Sequence, residues 1–392
     1  MAFTTGTSSN YDDLLVDIRT WLTGTAGWTS LAWDPITQEA KSVDSIAAGG
    51  TGYVVDDTIT LTGGTFSTAT VLTVTSVSGG AVTGVSITEP GDYSVIPTDP
   101  VAQGSTSGSG TGATFNMTYN DSTGLLSLQA PGNGTGKEVF INIETVYDDG
   151  DNTYGWKIFG ATGWETGLAH GSQQGAGGPV WFNLWDSTID YWIYANDRRM
   201  ILIAQCGTNY MSMYAGFFLP FALGSEYPFP LAIIASYPAA ALVSVANARN
   251  SFIADPGDGA AYYRRRDAES WRAIRNQSDS GLSNAPVTGQ RAFMWPHRTG
   301  RGAASPTDSP ASWNGGGLNK MVENANNELP LFQCHIIDML SDQVIGALEG
   351  VYSTSGYNRS VEQVVTISSQ DYRLFQKVFR NNPGDFMAIE ET

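Results

Sequence analysis

The segment Val180–Pro230 reads VWFNLWDSTIDYWIYANDRRMILIAQCGTNYMSMYAGFFLPFALGSEYPFP, short apolar runs cut by Asp-Ser and Asn-Asp-Arg-Arg. The interruptions are turn chemistry, because Asn, Asp and Ser side chains hydrogen-bond their own backbone. Between them the pattern predicts strands at about Val180–Trp185, Asp190–Ala195, Met200–Cys206 and Tyr210–Leu219. Side chains alternate along a strand, so Tyr191, Ile193 and Ala195 face one way and Trp192 and Tyr194 the other. Both faces are apolar, and each needs a cover, either another layer of this chain or a second copy of it. Both faces, with the aromatic Glu226–Pro238 segment, are expected contact surface. Its anchors would be Trp181, Trp185, Trp192, Tyr194, Tyr210, Tyr214, Phe217, Phe218, Tyr227 and Phe229.

Composition agrees with a β-rich chain. Of 392 residues only 15% are charged and 45 are Gly. A net charge of −18 argues against a nucleic-acid backbone as partner. The charge is uneven: Asp44–Tyr119 holds six acids and no Lys or Arg, whereas Arg249–Arg301 holds nine arginines against five acids. Cys206 and Cys334 lie in separate apolar runs and read as buried free thiols, in keeping with a reducing cytoplasm. MAFTTGTSSNYDD lacks the basic and apolar regions of a signal peptide. Ala232–Ala248 is apolar but short and broken by Pro238, so no membrane span is expected and a buried connection or subunit contact is.

Taken in order, Asn10 caps an amphipathic helix over Tyr11–Leu22, ended by Gly24, with Asp12 and Asp13 in the first turn. Residues 42–120 form an inserted β module. Strands are expected at Thr58–Thr62, Ala69–Ser76 and Val82–Thr88, with a Gly79-Gly80 hairpin turn, a flexible return over Gly104–Gly112 and a closing strand at Ala113–Tyr119. Trp28–Trp33 and Leu125–Gln129 flank it as body strands. Lys137–Tyr147 and Tyr154–Phe159 pair around the acidic turn Asp148–Asn152, which lacks EF-hand spacing. Pro131–Glu138 fails as a phosphate loop, with Pro131 in the first Gly position and Glu138 in the Ser/Thr position. Arg264, Arg265 and Arg266 stand in a segment where Tyr263, Trp271 and Ile274 can share a helix face. Asp267 and Glu269 beside them favour salt bridges within or between subunits over phosphate contacts. Ser278–Asn319 reads as a long surface excursion, followed by strands at Leu331–Asp338, Val344–Tyr352, Glu362–Ser368 and Tyr372–Arg380 and a closing segment at Phe386–Ile389.

Two resemblances add to this. The module motifs GGTGY, DDTITLTGGT, VTSVSGGAVTGVSITEPGDY and GTGATF resemble a small β module of tailed-bacteriophage tail and fibre proteins. The body segments EVFINIETVYDDGDNTYGWKIFGATGWE, YWIYANDRRMILIAQCGTNYMSMYAGFFLPFALGSEYPFPLAI and QDYRLFQKVFRNNPGDFMAIE resemble a family of phage and prophage virion structural proteins. The resemblance implies a virion component of the tail, baseplate or neck, assembled in the host bacterial cytoplasm. It supplies no active site.

The residues themselves carry no catalytic signature. His170, His297 and His335 are far apart, no Cys-x-x-Cys, His-Glu-x-x-His or Gly-x-Ser-x-Gly is present, and a serine triad would need a meeting in space. The expected fold is mainly β: a β-sandwich body (1–41 and 121–392) with an N-terminal helix and the inserted module. The expected function is non-enzymatic and structural, without cofactor or metal, in contact with copies of itself and other virion proteins. A module binding host-surface glycan, with Trp295 and Trp313 as stacking candidates, and a tail-associated polysaccharide hydrolase are the alternatives.

Overall fold

The computed structural model describes residues 2–132, 137–148, 153–237, 249–250, 261–266, 270–274, 292–295, 324, 328–338, 343–376 and 386–391. The chain is mainly β, with antiparallel sheets and, among the described residues, one α-helix, Tyr11–Gly24. Its internal contacts divide it into two compact units, Met1–Trp33 with Leu125–Thr392, and Asp34–Gly124.

In the first unit the Val180–Pro230 stretch supplies the middle of a seven-stranded sheet. Its order is Ala2–Ser8, Ile189–Ala195, Arg199–Cys206, Asn209–Phe217, Leu231–Ile234, Ala261–Arg264, Trp271–Ala273. Every residue of Asn209–Phe217 is buried, so the sheet is covered on both sides. One face (Trp192, Tyr194, Ile201, Ile203, Tyr214, Ile234) packs on Cys334, Ile336, Leu348, Val351, Phe375 and Met387 of a C-terminal sheet. That sheet runs Ala292–Trp295, Leu331–Asp338, Gln343–Thr354, Phe386–Glu390, Gln370–Gln376, Val364–Ile367. The other face meets a five-stranded sheet ordered Gly177–Leu184, Thr153–Ala161, Val139–Asp148, Leu125–Ala130, Thr29–Asp34. There Gly160 lies against Ile233 and Trp271, leaving no room for a Cβ. Both covers are thus layers of the same chain. Each large apolar side chain so buried contributes about 1.5–3 kcal/mol.

Two polar junctions sit between the central and C-terminal layers. Arg198 pairs with Glu349, and Arg272 and Tyr263 both donate to Asp338. The helix forms as its sequence dictates: the Asn10 side chain accepts from the backbone N–H of Asp12 and Asp13, and Tyr11, Leu14, Leu15, Ile18 and Leu22 are buried. Buried Trp156 donates through Nε1 to the Tyr11 carbonyl at 3.2 Å.

The Asp34–Gly124 unit is one eight-stranded sheet ordered Thr65–Thr68, Asp92–Val95, Gln38–Thr51, Thr111–Asp121, Val101–Thr106, Thr58–Leu61, Val71–Ser78, Ala81–Glu89. It curls on itself, so that Tyr53 N donates to Gly80 O at 3.0 Å, around Tyr53, Ile59, Leu72, Val74 and Phe115. Gly79 and Gly80, at φ +60° and +83°, make the turn in a region other residues rarely adopt.

Ala2–Ser8, for which the sequence suggests no element, is a strand paired residue for residue with Ile189–Ala195, although its Thr/Gly sequence has little apolar alternation. Several expectations need correction. Gly104–Gly112 is not a flexible return: Val101–Thr106 and Thr111–Asp121 are strands, and cross-strand bonding overrides the Gly/Ser composition. Tyr263, Trp271 and Ile274 do not share a helix face. Ala261–Arg264 and Trp271–Ala273 pair as antiparallel strands, with Tyr263 opposite Arg272. Within the excursion expected at 278–319, Ala292–Trp295 is a strand against Leu331–Asp338. The rest of that segment, including Trp313, the turn 149–152, the stretches 133–136 and 238–248, and Asp267 and Glu269, lies outside the described residues.

Candidate functional site

The residues expected to form a contact surface divide by exposure. Trp192, Tyr194, Tyr210, Tyr214, Phe217, Phe218, Tyr227 and Arg264 are buried within their own chain. Trp192 meets Phe375 edge-on at 5.2 Å, and Phe218 meets Tyr227 at 5.6 Å. These eight are core, a correction to the expectation of contact surface: side chains already covered by their own layers have no area left for a partner. Trp181, Trp185, Phe229 and Arg265 are half-buried, and Arg266 is exposed. Lys157 stands over the Trp181 ring, and Phe229 has Lys137 and Arg264 over its ring at 5.1 and 5.2 Å.

A polar cluster that the sequence did not signal lies on the far side of the five-stranded sheet. Strand alternation turns Leu126, Leu128, Ile141, Ile143, Trp156 and Ile158, all fully buried, toward the central sheet. The intervening residues face the other way, and register sets Ser127 opposite Asn142 and Asn142 opposite Phe159. Glu144 follows Asn142 on the same face. The loop Thr162–Gln174 covers this row. It closes at its neck through Thr162 N to Gln174 O at 2.9 Å, and Gln173 ties it internally to both Glu165 and Leu168. A loop with joined ends and its own packing is an Ω-loop, a form often used at functional sites.

This loop carries His170 into the row. Its Nε2 is 3.1 Å from Ser127 Oγ, and its Nδ1 is 3.2 Å from Glu144 Oε1, a close electrostatic contact rather than an aligned hydrogen bond. Ser127 and Asn142 have no exposed surface and His170 has 5%. The rings of Phe159 and Trp164 stand 6.0 and 6.2 Å from the imidazole. With the proton on Nδ1, facing the carboxylate, Nε2 accepts from the serine hydroxyl. The arrangement can therefore relay a proton from Ser127. No local motif reveals it, because 127, 144 and 170 belong to two strands and a loop joined only by register and loop closure.

Among the described residues no group of three His, Cys, Asp or Glu side chains could hold a metal ion, and no helix is long and apolar enough to cross a membrane. Cys206 and Cys334 are free and buried, and burial pushes the Cys334 thiol up to about 12. Compared with known proteins, the chain matches no family model and no curated protein.

Proposed function

We propose that this protein is a self-associating structural component of a tailed-phage particle, docking in the tail, baseplate or neck and acting there through assembly. The observation that carries this reading is the way the Asp34–Gly124 unit enters the chain. It is inserted between Thr29–Asp34 and Leu125–Ala130, two neighbouring strands of one sheet. Such an insertion adds a contact module while leaving the sheet of the body continuous. The module's six acids without Lys or Arg over Asp44–Tyr119 suit a basic partner surface, and its resemblance to tail and fibre modules points the same way.

The contact surface in this reading falls on exposed apolar side chains instead of the buried aromatics. Phe221 and Leu223 are 59% and 68% exposed, in a segment held to the C-terminal sheet by Phe221 N donating to Ile345 O, next to exposed Val344. Immunogold electron microscopy of purified particles, with antibody raised against this chain, tests the proposal. Label at one discrete place supports it and assigns the position. Absence of label, with the protein abundant in the infected lysate, overturns it.

A further inference from the structure

The geometry beneath the Thr162–Gln174 loop points to a chemistry beyond assembly. We propose that Ser127 is the nucleophile of an acyl-transfer site for a neutral carboxylic ester with a small acyl group, with His170 as general base and Glu144 as the residue that positions it. Hydroxyl, imidazole and carboxylate follow one another at 3.1 and 3.2 Å, the order and spacing that convert a serine into a nucleophile. Two adjacent antiparallel strands hold Ser127 and Glu144, and a loop tied by Gln173 holds His170, so three separate parts of the chain converge on one point.

Asn142 is the second, independent observation. It has no exposed surface, and neither its Nδ2 nor its Oδ1 has a hydrogen-bond partner. Folded chains keep few such groups, and each calls for an explanation. Directly opposite Ser127 in the register, its Cβ lies about 4.5–5.5 Å from that of the serine. From there Nδ2–H reaches the oxygen of a carbonyl under attack by Ser127, the task of an oxyanion donor. The walls choose the substrate class. Glu144 disfavours an anionic substrate, Phe159 and Trp164 offer aromatic surface, and the complete burial of Ser127 admits only a small acyl group.

Because His170 rides on the loop, opening at the neck admits the ester and closure returns the base to Ser127. Gly175, at φ +63° beside the neck, supplies a backbone that larger residues adopt with strain. In the forward step Oγ bonds to the carbonyl carbon, its proton passes to Nε2, and the carbonyl electrons move onto the oxygen facing Asn142. Collapse breaks the ester C–O bond, and the departing alkoxide takes the proton from Nε2 and leaves as an alcohol. Water then attacks the acyl-serine, giving its proton to Nε2. The second collapse releases the carboxylic acid and returns the proton to Oγ. The net reaction is ester plus water to acid plus alcohol.

The test is covalent labelling of the full-length protein by a fluorophosphonate, with intact mass and peptide mapping as readout. We expect a single adduct at Ser127, absent in S127A, formed at least roughly 100-fold more slowly in H170Q, the range a general base supplies. Hydrolysis of p-nitrophenyl acetate should fall in parallel. E144A should slow labelling, and E144Q, whose amide oxygen still accepts from Nδ1, should restore part of the rate, a rescue that a merely structural role would not give. Folded wild-type protein that forms no adduct at Ser127 overturns the proposal, as does an adduct whose rate is unchanged in H170Q. The wild-type result depends on no variant, and neither outcome bears on where particles are labelled.

Discussion

Arg198 and Glu349, on different layers of the body, meet through two hydrogen bonds, Nε to Oε2 at 2.8 Å and Nη2 to Oε1 at 2.7 Å. Beneath them Arg199, with no exposed surface, places its Nε 3.8 Å from the same carboxylate. Asn196 completes the junction by donating to Glu349 and accepting the backbone N–H groups of Arg198 and Arg199. E349A would take away a carboxylate that faces both arginines, one of them buried, and removing one partner of a buried ion pair costs about 3–5 kcal/mol. R198A removes a partly exposed partner and should cost about 1 kcal/mol or less. Urea denaturation at pH 7 measures both; equal effects would refute the ranking.

The same junction gives a pH dependence. Burial works against the Glu349 charge, but the hydrogen bond from Arg198 and the charges of Arg199 and Arg198 outweigh it and hold the carboxyl below its usual range. A carboxyl depressed in the folded state adds stability that is present above its unfolded pKa, about 4.3. That stability is lost as pH falls through the lower folded value. Wild-type melting temperature should therefore drop below about pH 4, and E349Q, already weakened at pH 7, should show a shallower acid decline.

Trp192 separates core from interface. Buried against Phe375 and Tyr210, it should cost about 3–5 kcal/mol as W192A, with no dependence on protein concentration. Light scattering should show the same association state before and after the change. A variant of unchanged stability that dissociates would return Trp192 to a subunit contact.

Phe221 and Leu223 should behave in the opposite way. The double change F221S/L223S touches exposed side chains, so stability should stay within about 0.5 kcal/mol of wild type. If copies associate through this surface, sedimentation should show a smaller species. Unchanged sedimentation would remove Phe221 and Leu223 from self-association.

Excising residues 35–124 and joining the flanks by a short Gly-Ser linker should leave a body with a cooperative unfolding transition. Thr29–Asp34 and Leu125–Ala130 are neighbours in one sheet, so a short connection spans them. Loss of cooperativity would show that the body depends on the module.

Much of the fold was legible in residues that act locally. Asn10 followed by Asp12 and Asp13 announces a helix start because a side-chain oxygen satisfies free N–H groups there. Alternation in Tyr191–Ala195 and the Asn-Asp-Arg-Arg turn announce strands whose bounds differ by a residue or so from those observed. Ala2–Ser8 and the hairpin around Arg264 were not legible. The first has little apolar pattern, and in the second Tyr263, Trp271 and Ile274 happen to suit a helix spacing. The polar cluster was invisible, since Ser127, Glu144 and His170 share no local motif.

Sequence alone determined that strands near residues 180–219 are apolar on both faces and must be covered, since a side chain's period depends only on its own backbone. What covers them was decided by the tertiary structure, through contacts such as Trp192 with Phe375 and Gly160 with Ile233. Periodicity states which face a residue occupies but carries no information about what is packed against that face. The same limit explains why a buried serine, a histidine and a glutamate came together only when strand register and an Ω-loop brought them there.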